Sequence, residues 1–158
     1  MGLRIWVDAD ACPGPIKEIL FRAAIRRRVE LTLVANHFLR VPKSSFVRCV
    51  QVEAGFDVAD KKIAASVAAG DLVITADVPL ASAVVDAGAT ALNPRGQLYT
   101  RENVKELLAR RNLLDELRST GAISGGGPSA LDARNLQDFA NALDRYLTRH
   151  AQEASREQ

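Results

Sequence analysis

The sequence predicts an α/β protein built on a single open parallel sheet flanked by helices, and three observations lead there. Strand-like and helix-like runs alternate along the chain, the pattern that builds a parallel sheet through helical crossovers. Leu72 to Thr75 is an uninterrupted apolar run, as expected of a central strand covered on both faces. Ile5-Trp6-Val7 ends abruptly in Asp8-Ala9-Asp10, two carboxylates that a buried strand cannot use and that therefore belong in a cleft at its carboxyl end.

The elements follow in order. The first strand is read at Leu3 to Val7, and Pro13 and Pro15 then bracket a turn, with Pro15 suited to the first position of a helix. Ile16, Ile19, Leu20 and Ala23 form that helix's apolar stripe, and Arg26-Arg27-Arg28 favour its negative end. Strands at Glu30 to Ala35 and Val47 to Val52 are joined by a loop holding Asn36, His37 and Pro42. A helix from about Asp60 to Ala69 ends at Gly70, the usual residue past a helix C-terminus. Pro79 to Ala87 is a short helix closed by Gly88, and Ala89 to Leu92 is a fifth strand. Thr100 caps a helix running to about Arg118. Gly125-Gly126-Gly127-Pro128 breaks the chain, and its glycine amides could cradle a phosphate. Beyond it Leu136, Phe139, Ala140, Leu143, Tyr146 and Leu147 make one amphipathic face that must dock on a core. Residues 1–150 are read as one domain, with this extra C-terminal helix at about 130–150 docked on it and 151–158 as a frayed tail.

Composition excludes several classes. A 47% hydrophobic and 25% charged chain of 158 residues suits one soluble domain. No apolar run approaches a membrane span, and Met1-Gly2-Leu3-Arg4 leads into a strand without a signal-peptide pattern, so no membrane association and a cytoplasmic location are expected. Cys12 and Cys49 follow no zinc or redox spacing. The net charge of +2 does not announce a nucleic-acid binder, and the few aromatics are scattered, offering no stacking platform for single-stranded bases. Arginine clusters at Arg26-Arg27-Arg28 and Arg110-Arg111, with Arg40, Lys43 and Arg48 between strands; such forks suit phosphate, or simply face solvent. Nothing in the chain fixes an oligomeric state.

The chemistry is expected from acids. Asp71 to Asp77 repeats the first strand's arrangement, so Asp8 or Asp10 should face Asp77 across a cleft, with Asp60 and Asp57 near its rim. Two like charges about 4 Å apart repel by roughly 4 kcal/mol at an effective dielectric near 20. Such acids must share protons, meet basic groups or bind a cation, and oxygen-only ligation selects a hard ion, Mg²⁺ or Mn²⁺ beside a phosphate substrate. Asp8, Asp10, Asp60 and Asp77 are the candidate catalytic and metal-binding residues. Asp60 and Asp77 also suit helix caps, and Asp57 and Asp71 read as loop acids. Asn36, His37, Thr75 and Arg95 lie at the same end of the sheet and are candidates for substrate contact. Cys12, near a helix start, is read as a buried small residue rather than a reactive thiolate.

The stretches "VDADACPGPIKE", "VAN", "DLVITADVPLA", "ALNPRG" and "GGP" resemble the YaiI/YqxD family of small bacterial proteins from Leu3 to about Arg149. That family is similar in turn to PIN-like domains, many of them Mg²⁺- or Mn²⁺-dependent ribonucleases with strand order 3-2-1-4-5. The resemblance implies that Asp8, Asp60 and the pair Thr75 and Asp77 carry the PIN pattern, with Asp10 an extra acid; the mid-chain acid of many active PIN nucleases has no aligned counterpart, Glu53 being nearest. The expected function is a divalent-metal-dependent phosphodiesterase acting on RNA. Two alternatives stay open: a PIN-like module that binds RNA or protein without cleaving, and a phosphatase of the haloacid dehalogenase type with Asp8 as nucleophile and Asp10 as general acid.

Overall fold

The computed structural model describes residues 2–55, 57–122 and 130–157, with side chains as far as 151. The glycine break at residues 125–128 lies outside the described residues. Strands β1 (Arg4–Asp8), β2 (Glu30–Ala35), β3 (Val47–Gln51), β4 (Leu72–Ile74) and β5 (Thr90–Leu92) are joined through helices α1 (Gly14–Arg27), α2 (Val58–Ser66) and α3 (Val78–Asp86). A two-residue strand β6 (Leu98–Tyr99) and helices α4 (Arg101–Ser119) and α5 (Ala133–Glu157) follow. The sheet order is β3-β2-β1-β4-β5-β6, parallel except for β6, which runs antiparallel to β5.

Local chemistry explains the boundaries. Thr100 caps α4 through a reciprocal pair: its Oγ1 accepts from Asn103 N at 3.3 Å, and Asn103 Oδ1 accepts from Thr100 N at 2.8 Å. Helix α2 starts two residues before Asp60, because Asp57, left-handed at φ 64°, opens it. It stops at Ser66 rather than Ala69, because Val67 turns extended and Asp71 Oδ2 holds Ala68 N at 2.9 Å. The expected frayed tail is helical backbone as far as Glu157. Strand β6 arises from the turn Asn93-Pro94-Arg95-Gly96: Asn93 Oδ1 accepts from Arg95 N at 2.9 Å and Gln97 N at 3.1 Å. Gly96 sits at φ 91°, and a Cβ there would lie 2.7 Å from the Asp138 carbonyl carbon, so the turn tip rests directly on α5.

Alternation along the strands builds two cores, one on each face. Ile5, Val7, Leu31, Leu33, Leu72 and Ile74 face α1 and α5, where Leu20, Phe139 and Leu143 meet them. Trp6, Val34, Val73 and Ala91 face the other layer, packed on Ile63 of α2, Leu80 and Val84 of α3 and Val104 of α4. The amphipathic face of α5 thus docks on the same domain, consistent with its sequence pattern. At the amino end of the sheet Asp71, read as a loop acid, is a buried tie instead: only 3% exposed, it accepts from Trp6 Nε1 at 3.0 Å, Ala68 N at 2.9 Å and Arg4 Nη2 at 3.0 Å. The Arg4 guanidinium also lies 5.3 Å from the centre of the Trp6 ring. No described helix is long and apolar enough to cross a membrane.

Candidate active site

Strand β1 lies between β2 and β4, where the strand order reverses, and crevices for ligands in open parallel sheets open there at the carboxyl ends. The register that pairs Val7 with Ile74 sets Asp8 level with Thr75. Asp8 shares the parity of Trp6 and so belongs to the α2/α3 face. Its carboxylate is nearly buried, and Thr75 Oγ1 donates to Asp8 Oδ2 at 3.3 Å. The same Thr75 oxygen accepts from Asp77 N at 3.0 Å, which ties the two strand ends together. Asp77 caps α3, its Oδ1 accepting from Leu80 N at 3.0 Å.

Asp60, in the first turn of α2, completes the group. Burial pushes its carboxyl up to about 7, helped by repulsion from Asp8, Asp77 and Asp57 and by a hydrogen bond to Asp77 that needs a proton. Asp8 is raised as well, chiefly by burial and further by Asp77 and Asp10, against the lowering influence of the Thr75 hydroxyl. Three acids from β1, α2 and the start of α3 therefore feel one another directly. Beside Asp60 and Asp77 opens a cleft of about 330 Å³ whose walls also carry Lys61 and Arg111. Sequence reading did not assign those two cations to the site. Arg111 arrives from α4 by tertiary packing, and the Arg110-Arg111 pair was the only hint of it.

Asp10 is placed differently. Its Oδ2 accepts from Asn36 N at 2.8 Å and its Oδ1 lies 2.9 Å from His37 Nδ1, so Asp10, Asn36 and His37 form a second cluster at the ends of β1 and β2. Arg95 stands apart from the acids: its Nη1 donates to Asn135 Oδ1 at 3.2 Å, joining the β5–β6 turn to α5, and it lines a separate cavity of about 420 Å³ with Ala11, Pro13, Tyr99 and Leu131. The Cys12 thiol is pushed up to about 12 by burial and stays protonated at neutral pH, so it is no nucleophile. Among the described residues, no three His, Cys, Asp or Glu side chains stand in a ready-made ligand array. Two carboxylates remain a workable donor set for a hard ion that takes its other ligands from water and substrate phosphate.

Fold and site together define an open, mostly parallel α/β protein with an acidic cleft at the reversal of strand order. The chain belongs to the family described as "Uncharacterized BCR, YaiI/YqxD family", which matches residues 6–149. It is similar to relatives each called "UPF0178 protein". That of Halorhodospira halophila is 63% identical over 147 residues, covering 93% of this chain and 97% of the relative. That of Aeromonas hydrophila is 62% identical over 145 residues, covering 92% and 96%, and that of Maridesulfovibrio salexigens is 57% identical over 147, covering 93% and 97%. No solved structure matches the chain.

Proposed function

We propose that the acidic cleft is the active site of a divalent-cation-assisted phosphodiesterase of PIN-like type, acting in the cytoplasm on RNA. The observation that carries this reading is the convergence of Asp8, Asp60 and Asp77 at the reversal point, where Thr75 bridges Asp8 and the Asp77 backbone and burial and like charge push the Asp60 carboxyl up. Asp8 and Asp77 would hold the ion, Mg²⁺ or Mn²⁺, as oxygen donors that lack a cation of their own. When bound it neutralises phosphate charge and acidifies a bound water.

The chain's own residues supply the rest. Lys61 and Arg111 line the cleft beside the acids and offer positive charge to the phosphate. Asp60, half-ionised near neutral pH, takes the proton of the attacking water; the new P–O bond forms as the old one breaks, and the leaving oxygen is protonated from solvent. Thr75 keeps Asp8 and Asp77 in register. Asp10, with both oxygens engaged by Asn36 and His37, offers no free general acid, which weighs against the phosphatase alternative.

Thermal melting with and without millimolar Mn²⁺, beside cleavage of a labelled single-stranded RNA, tests the reading. The ion should raise Tm by about 5 °C, a shift of the size expected when a ligand saturates the folded state. The double change Asp8→Asn, Asp77→Asn should abolish both shift and cleavage. An unshifted wild-type melt with intact RNA would overturn the proposal.

A further inference from the structure

We propose that the loop after β2 is a single-strand docking platform, with Phe38 as the stacking surface and Arg40 and Lys43 as phosphate contacts. It rests on the phosphodiesterase reading, because it would hold the strand that such an enzyme cleaves; the loop itself meets Asp10 at the ends of β1 and β2.

The ring of Phe38 is 79% exposed, more than any other large hydrophobic side chain among the described residues. It does not hang from a loose segment. On one side His37 is tied to Asp10 at 2.9 Å, and Asn36 N reaches Asp10 Oδ2 at 2.8 Å. On the other, Leu39 and Val41 pack against the α1/α5 core. Anchors on both sides hold the segment that carries the exposed Phe38 ring, and a flat apolar ring presented beside the Asp10 cluster suits a planar partner. His37, its side chain 58% exposed, stands next to it as a second ring.

Charge selects the partner. Arg40, Lys43 and Arg48 are exposed, and no acidic residue occurs between Asn36 and Arg48. Asp10 meets the loop at Asn36 and His37, ahead of the cations. A basic segment beside exposed rings matches the backbone and bases of a single-stranded nucleic acid. An acidic protein segment would satisfy the cations but leave Phe38 without a stacking partner. The sequence marked Asn36 and His37 as candidates for substrate contact and Arg40 and Lys43 as suited to phosphate, but not Phe38, because a lone phenylalanine in "NHFLRVPK" carries no periodic signal and the scattered aromatics promised no stacking platform.

Fluorescence anisotropy of short labelled uridine RNA and thymidine DNA oligomers, measured in EDTA so that no cleavage intrudes, tests the platform. Phe38→Ala should weaken binding about tenfold, within the range for losing one base–aromatic stack, while Phe38→Trp should restore it. Arg40→Ala and Lys43→Ala should each reduce the slope of log affinity against log salt by about 0.7. Leu113→Ala, a change at another exposed apolar side chain, on α4, should leave binding unaltered. The tighter of the two oligomers identifies the strand. Wild-type affinity in Phe38→Ala, or no binding of either oligomer by the wild type, would sink the platform. Sound Phe38-dependent binding without Mn²⁺-dependent cleavage would instead overturn the proposed reaction and leave the platform standing.

Discussion

A carboxylate is buried at each end of the sheet, and its surroundings differ completely between the two. At the amino end Asp71 accepts from an arginine, an indole and a backbone amide. At the carboxyl end Asp8 receives the Thr75 hydroxyl at 3.3 Å and looks out on Asp60 and Asp77. Both are taken from water, so both need compensation. The fold provides it for Asp71 from its own chain, and that end is finished. For Asp8 it supplies one hydroxyl and more negative charge, and burial with that charge pushes its carboxyl above the ordinary range. The difference separates an acid whose partners all lie within the fold from one left facing its own kind, which is where the proposed ion would act.

The comparison breaks most readily at Asp71. Asp71→Ala strands the Trp6 indole, the Ala68 amide and half of the Arg4 pairing, and should cost about 3 kcal/mol. For a chain of this size that is a fall in Tm of about 9 °C, measurable by calorimetry or circular dichroism. Asp8→Asn should act in the opposite direction, raising Tm by about 3 °C at pH 8, because it removes a buried charge facing like charges while its amide oxygen still accepts from Thr75. A loss comparable to that of Asp71→Ala would show that Asp8 too is structural.

The smallest effect sharpens the contrast through pH. Asp60 rises from an ordinary 3.8 to about 7 in the folded chain, so the folded state binds this proton more tightly than the unfolded one. Its contribution to stability is therefore full below about pH 4, declines as pH climbs toward 7 and is constant above. Asp60→Asn should remove that decline; because Asp60 is only half-buried, solvent screens most of the effect, so its Tm advantage over wild type should grow from about 0 °C at pH 4 to about 2 °C at pH 8. A constant difference across that range would show that Asp60 is not coupled to its neighbours.

Much of this architecture was legible in the chain. Period-two and period-3.6 patterns located β1 to β5 and all five helices, and Asp77 showed itself as a helix cap through the Pro79 that follows. The strand order was not readable from periodicity; it was anticipated through family resemblance. Strand β6 escaped because Leu98-Tyr99 is too short to alternate and exists only by pairing with β5. Asp71 escaped for a related reason: its importance comes from Arg4 and Trp6, more than sixty residues away in sequence. At the site, the acids after β1 and β4 stood out because charge abutted apolar strands. That Asp8 and Asp10, two residues apart, would enter different clusters depended on side-chain direction at the strand end, and Lys61 and Arg111 depended on how helices pack.

Helix α5 grips the sheet over its whole height. Near its start Asn135 and Asp138 meet the β5–β6 turn at Arg95 and Gly96, and further along Tyr146 OH donates to the Gly70 carbonyl at 3.2 Å. It also delivers Phe139, the largest of the fully buried side chains, to the β1/β2 face. Until α5 has been synthesised, part of the sheet face it shares with α1 therefore stays uncovered. A stop codon anywhere before Phe139 should hand an open, sticky product to the chaperones and proteases of the cell.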